Sequence, residues 1–109
     1  MKKVIITGGL GFIGSNIAKK FVKKGYKVKI LDNLDPDSGA NLYNIYDFRD
    51  KVELIRASIL DYNKIFKHIK NTNLIINCAA STSHNLSMKE PENNLDINIK
   101  GVLSILEAI

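Results

Sequence analysis

Short apolar runs alternate with longer amphipathic stretches along the whole chain. Lys2 to Thr7 is a β-branched run stopped by Gly8-Gly9, and it predicts a buried strand. From Phe12 to Lys24, Ile13, Ile17, Ala18, Phe21 and Val22 recur at helical spacing, with Lys19, Lys20, Lys23 and Lys24 opposite and Gly25 as a stop. Val28 to Asp32 predicts a second strand, Asn33 to Ala40 a turn-rich loop, and Leu42 to Tyr46 a brief helical turn. Val52 to Arg56 predicts a third strand. Asp61 then opens a helix carrying Ile65, Phe66 and Ile69, and Leu74 to Cys78 forms a fourth strand. Pro91 begins a long helix to Ile109, on which Leu95, Ile99, Val102, Leu103 and Leu106 mark a face expected to be a core stripe.

Strands that alternate with helices imply a parallel sheet, because each helix must carry the chain back to start the next strand in the same direction. The expected fold is therefore α/β, a doubly wound parallel sheet. The last residues, Leu103 to Ile109, sit in an apolar helical pattern with no glycine cap, so an incomplete domain is expected. The 109 residues suffice for one core, and 45% hydrophobic with 25% charged residues is globular composition. A single cysteine, Cys78, allows no internal disulfide, and no apolar run is long enough to span a bilayer. A cytoplasmic protein with no membrane partner is expected.

Candidate chemistry concentrates between the first strand and the first helix. Thr7-Gly8-Gly9-Leu10-Gly11-Phe12-Ile13-Gly14 contains both Gly9-x-Gly11-x-x-Gly14 and Gly8-x-x-Gly11-x-x-Gly14. Such a turn omits side chains where a tight bend, a pyrophosphate and helix-on-strand packing leave no room, and it aims the N–H groups of the new helix at an anion. A mononucleotide P-loop is disfavoured, since no Gly-Lys-Ser or Gly-Lys-Thr follows. Asp32 falls eighteen residues after Gly14, where a carboxylate can accept hydrogen bonds from ribose hydroxyls and would repel a 2′-phosphate. With Asn33 next in place of an arginine, NAD is favoured over NADP. The plainer alternative is a carboxylate that merely caps its loop.

With Thr7 to Ser15 followed by Leu31-Asp32-Asn33-Leu34, the chain resembles the extended short-chain dehydrogenase/reductase family, in particular its NAD-dependent nucleotide-sugar epimerases and dehydratases. Asn77-Cys78-Ala79-Ala80 is similar to that family's strand-end segment, and Asn98-Ile99-Lys100-Gly101-Val102 to its Asn-x-x-Gly-Thr helix. The resemblance covers the whole chain but only the first third of a family member. It implies a Rossmann fold and that Gly8, Gly11, Phe12, Ile13 and Gly14 surround the pyrophosphate. It also implies that Asp32 holds the ribose, that Ser58 and Ile59 lie by the adenine, and that Ala79 and Ala80 line the nicotinamide side. Ser58 stands where the family usually has aspartate, which alters the adenine contact. Ser83 and His84 resemble a pair found in some dehydratases but are offset by a residue, and no catalytic role is assigned to them. The resemblance further suggests a nucleotide-sugar substrate and a homodimer built on the last helix.

The family's chemistry uses Tyr-x-x-x-Lys, the lysine lowering the tyrosine pKa so that it can move a proton. The residues four beyond Tyr26, Tyr43, Tyr46 and Tyr62 are Ile30, Asp47, Asp50 and Phe66, so these 109 residues lack the pair. The chain is expected to hold a cofactor without turning over substrate, and a non-catalytic dinucleotide sensor of the same fold is the alternative. The net charge of +5 comes largely from lysines such as Lys19, Lys20, Lys23, Lys24, Lys27 and Lys29. With no aromatic platform beside them they read as a solvated exterior, and no nucleic-acid partner is expected. His68 reads as a surface residue near a helix end with a favourable dipole contact, Cys78 as a small core residue, and no metal site is expected.

Overall fold

The computed structural model describes residues 1–35, 39–79, 88–89 and 91–109. Four strands, β1 (Lys3–Thr7), β2 (Lys27–Asp32), β3 (Val52–Arg56) and β4 (Leu74–Asn77), form one parallel sheet in the order β3-β2-β1-β4. Helix α1 (Phe12–Lys23) links β1 to β2, a run of 3-10 turns (Leu42–Lys51) links β2 to β3, and α2 (Tyr62–Ile69) links β3 to β4. After β4 come α3 (Pro91–Leu95), a π-helical turn (Asp96–Lys100) and α4 (Gly101–Ala108).

Side-chain alternation along the strands divides the core in two. On one face Val4, Ile6, Val28, Ile30 and Val52 pack with Ala18 of α1 and with Ile45 and Phe48 of the 3-10 run. On the other, Ile5, Leu31 and Ile55 meet Ile65 and Ile69 of α2 and Ile105 and Ala108 of α4. Both faces of the sheet are covered, so the architecture is the doubly wound Rossmann type that the alternation implied. From β1 the chain winds one way through β2 to β3, and β4 lies on the other side of β1. The strand order therefore reverses between β1 and β4, and in such folds ligands bind in the crevice beyond the carboxyl ends of the strands at that point.

Predicted boundaries hold to within a residue for every strand and for α1. The connection from β2 to β3 is more ordered than expected: its helical turns continue from Leu42 to Lys51. Ile45 and Phe48 lie where the backbone leaves helical values between successive turns, at φ −115 and −136, and both are buried.

The last segment corrects the reading most. It is helical from Pro91 to Ala108 as expected but contains a π turn, and the stripe Leu95, Ile99, Val102, Leu103 and Leu106 is exposed. The residues that face the core are Gly101, Ile105 and Ala108, spaced by four and three. This stretch has two apolar faces and only one can lie on the sheet; the face with Gly101 and Ala108 brings the helix axis closest to Ile5, Leu31 and the α2 isoleucines. Three smaller readings also change. Ile13 is exposed at the start of α1, Phe66 is exposed and stacks on Tyr62, and His68 is half-buried. Desolvation, followed by the charge of Lys29, lowers the His68 pKa, so no helix-end stabilisation of its charged form is in evidence.

The exchange of core face has a direct test. Ile105→Ala should cost about 2–5 kcal/mol in urea unfolding, whereas Leu106→Ala, at a side chain 60% exposed, should stay within about 0.5 kcal/mol. The opposite order would restore the original stripe as core.

Candidate functional site

Glycines in the β1–α1 turn are there for different reasons. Gly8 has φ +64, and a Cβ on it would stand 2.8 Å from the Cys78 carbonyl and the Ala79 nitrogen. It is glycine because the end of β4 passes over it. A Cβ on Gly14 would lie 2.3 Å from the Gly8 carbonyl oxygen, so this residue lets α1 sit on the turn. One on Gly9 would meet the Ile30 side chain at 2.6 Å. Gly11 is unlike these: its φ of −77 is open to any residue, and the nearest atom to an added Cβ is the Gly8 oxygen at 3.4 Å, an ordinary contact. Nothing among the described residues requires glycine at position 11. The space over it is a cradle that a methyl group would fill.

Gly11 is also the N-cap of α1, without a side-chain cap and without an acidic residue in the first turn. The first helical bond runs from the Ser15 amide to the Gly11 carbonyl. The amides of Phe12, Ile13 and Gly14 therefore have no hydrogen-bond acceptor among the described residues. Ser15 Oγ and Asn16 Nδ2 both donate to the Phe12 carbonyl, at 3.1 and 2.7 Å, and so hold the first turn in place. Three N–H groups without an acceptor among the described residues, at the positive end of a helix dipole, are an arrangement able to take an anion. Phe12 and Ile13 extend into solvent around it.

Asp32 lies beneath this turn and is only 7% exposed. One carboxylate oxygen accepts from the Leu10 amide at 3.1 Å and the other from the Leu34 amide at 2.8 Å. The capping role weighed against ribose binding is thus real, and Leu34 takes a left-handed φ of 58 to complete it. A carboxylate offers about four lone-pair directions, so two amides leave it able to accept from hydroxyls as well. Its neighbour Asn33 is exposed, and its side-chain oxygen accepts from the Asp35 amide at 3.1 Å.

Ser58 and Ile59 begin the loop after β3. Ser58 Oγ accepts from the Leu60 amide at 3.1 Å and keeps its own O–H to donate, whereas the Ile59 side chain is buried in the second core. Ala79 follows the end of β4 beside Gly8. Ala80, Ser83 and His84 lie outside the described residues. Sequence reasoning missed Thr7. Its buried hydroxyl donates to Asn77 Oδ1 and accepts from the amides of Cys78 and Ala79, at 3.1 and 3.2 Å, which ties the β4 end to β1 above the crevice. Nothing in the pattern of a strand-end threonine announces that role. Cys78 packs against the first core, and burial raises its thiol pKa, which disfavours a thiolate nucleophile. Among the described residues no cluster of three His, Cys, Asp or Glu could hold a metal ion, and no helix is long and apolar enough to cross a membrane.

Comparison with known proteins agrees with this geometry. The family model for GDP-mannose 4,6 dehydratase matches residues 5–109. The chain belongs to that family. Among curated relatives of this GDP-mannose 4,6 dehydratase family member is a UDP-N-acetyl-alpha-D-glucosaminuronate decarboxylase of Bacillus cytotoxicus, 32% identical over 98% of the chain and 32% of the relative. A Thermotoga maritima UDP-glucose 4-epimerase solved with UDP-glucose superposes with TM-score 0.87 at 30% identity, over 97% of this chain and 33% of that one. A Thermus thermophilus UDP-glucose 4-epimerase solved in complex with NAD gives TM-score 0.81 at 29% identity, over 97% and 33%. The chain spans about a third of the length of the relatives it matches.

The two roles of glycine in this family member separate on substitution. Gly14→Ala should cost about 4 kcal/mol or more or abolish cooperative unfolding, because its methyl group has only backbone to push against. Gly11→Ala should change unfolding free energy by less than about 1 kcal/mol. Equal losses in urea denaturation would mean that position 11 is glycine for packing.

Proposed function

We propose that this chain is the NAD-binding N-terminal part of a nucleotide-sugar epimerase or dehydratase, an enzyme acting by transient hydride transfer at a sugar carbon. The single observation that carries this reading is Gly11, a glycine that packing among the described residues does not require, at the start of a helix whose first three amides have no acceptor among those residues. Gly8, Gly11, Phe12, Ile13 and Gly14 surround the pyrophosphate in this reading, and the amides of Phe12, Ile13 and Gly14 donate to it. Asp32 and Asn33 take the adenosine ribose, Ser58 and Ile59 border the adenine, and Ala79 and Ala80 line the nicotinamide side. When bound, the nicotinamide would accept a hydride from the sugar and return it. The NAD complex of the Thermus thermophilus epimerase and the epimerase, dehydratase and decarboxylase names of the relatives support the same cofactor and a nucleotide-sugar substrate.

Residues that move the proton lie elsewhere. None of the four tyrosines has lysine four positions on, so the 109 residues bind the cofactor without turning over substrate. That absence also favours a second reading, a dinucleotide-binding sensor or regulatory module. A Tyr-x-x-x-Lys motif in the same polypeptide decides for the enzyme.

Cofactor choice follows from Asp32. A buried carboxylate that already accepts two amides can take neutral hydroxyls but repels a 2′-phosphate. In thermal unfolding NAD should therefore stabilise the chain, by about 2.7 kcal/mol at a hundredfold excess over Kd, and NADP much less. Gly11→Ala should abolish the NAD effect. Equal stabilisation by both dinucleotides would remove the ribose role of Asp32, and no stabilisation by either would remove the proposed function.

A further inference from the structure

The peptide joining Leu10 to Gly11 is held at both ends by different parts of the chain. Its N–H, on Gly11, donates to the Gly8 carbonyl at 3.1 Å. Its C=O, on Leu10, accepts from the Asn41 amide at 3.1 Å and from the side-chain Nδ2 of Asn44 at 2.7 Å. Leu10 is fully buried, so water does not substitute for those donors. Asn44 lies on the 3-10 run. That run is anchored by Ile45 and Phe48 in the first core and by the Lys19–Asp47 ion pair to α1. Its backbone amide donates to the Asn41 carbonyl at 3.0 Å, so the two asparagines form one bracket over Leu10.

Glycine at position 11 creates the need for such a bracket. A residue without Cβ can change its φ at little steric cost, and a change of φ at Gly11 would turn the Gly11–Phe12 peptide, and with it the Phe12 amide, relative to the Leu10–Gly11 plane. The site thus gains space from Gly11 and loses rigidity at the same residue. We propose that Asn44 is a positioning residue for the anion site: its carboxamide locks the Leu10–Gly11 peptide so that the amides at the start of α1 stay aimed at the diphosphate. The proposal rests on the cofactor reading above and deepens it. Asn44 acts through Leu10 and touches no part of the cofactor.

Asn44→Leu removes the donor at similar size, and Asn44→Asp replaces it with an acceptor that can donate only when protonated. Charged groups on the elements packed here are Lys19, Lys20 and Lys23 of α1, Asp47, Arg49, Asp50 and Lys51 of the 3-10 run, and Asp32 of β2. All are shared with wild type, which serves as the pH control. Expected in calorimetric titration with NAD is a weakening of roughly three- to tenfold for Asn44→Leu, the size of one lost hydrogen bond. Asn44→Asp should bind more weakly than Asn44→Leu at pH 8 and recover as pH falls toward 5, a profile absent from wild type. A cofactor-free measurement stands beside it: amide hydrogen exchange at Gly11 should quicken in Asn44→Leu while exchange in β1 and β2 is unchanged. If a variant fails to fold, slow Gly11 exchange in wild type supports the lock and exchange at the rate of an open loop overturns it. Wild-type affinity and Gly11 exchange in a folded Asn44→Leu would overturn the positioning role and leave the cofactor reading intact. A wild-type protein that does not bind NAD would overturn the cofactor reading itself, and the positioning role with it.

Discussion

One buried carboxylate joins the two halves of the site. Asp32, at the tip of β2, accepts the Leu10 amide from the glycine-rich turn and the Leu34 amide from its own loop. Without it the Leu10 amide would lose its acceptor, and the loop after β2 would lose the contact that its left-handed residue, Leu34, completes. Hydrogen bonds from amides to a buried carboxylate are worth more than neutral ones, about 1.5–3 kcal/mol each, and an unpaired carboxylate there would be costly. The same group that organises the turn and the loop is the one proposed above to take the ribose.

Around that carboxylate, free donors and free space coincide. Gly8 and Gly14 are consumed by the protein, the one under the end of β4 and the other between α1 and the turn. Among the described residues Gly11 is left over, with three amides behind it that have no acceptor there. Thr7 fixes the β4 end from one side and the Asn41–Asn44 bracket fixes Leu10 from the other. A relatively rigid rim is thereby built around a turn whose glycines would otherwise make it mobile.

How far this was legible in the sequence depended on the range of the interaction. The strands and α1 could be read because β-branched runs and a period of 3.6 are local signals, and the glycine turn because the motif sits between them. Asp32 was found by its spacing from Gly14, though its double amide contact was not. The π turn at Asp96–Lys100 was invisible, and with it the choice of face on the final helix. Leu95, Ile99, Val102, Leu103 and Leu106 are larger and more regular than Gly101, Ile105 and Ala108, yet proximity to the sheet favoured the small residues. Asn44 and Thr7 carry no pattern at all, since their partners lie 34 and about 70 residues away in the chain.

The central claim is that unsatisfied amides at the start of α1 take a diphosphate. It is tested most directly by following backbone amide resonances of the folded chain as NAD is added. The largest shifts should fall on Phe12, Ile13 and Gly14, with smaller ones at Gly11 and Leu34. Binding that leaves those three amides unmoved while resonances elsewhere shift would contradict the account.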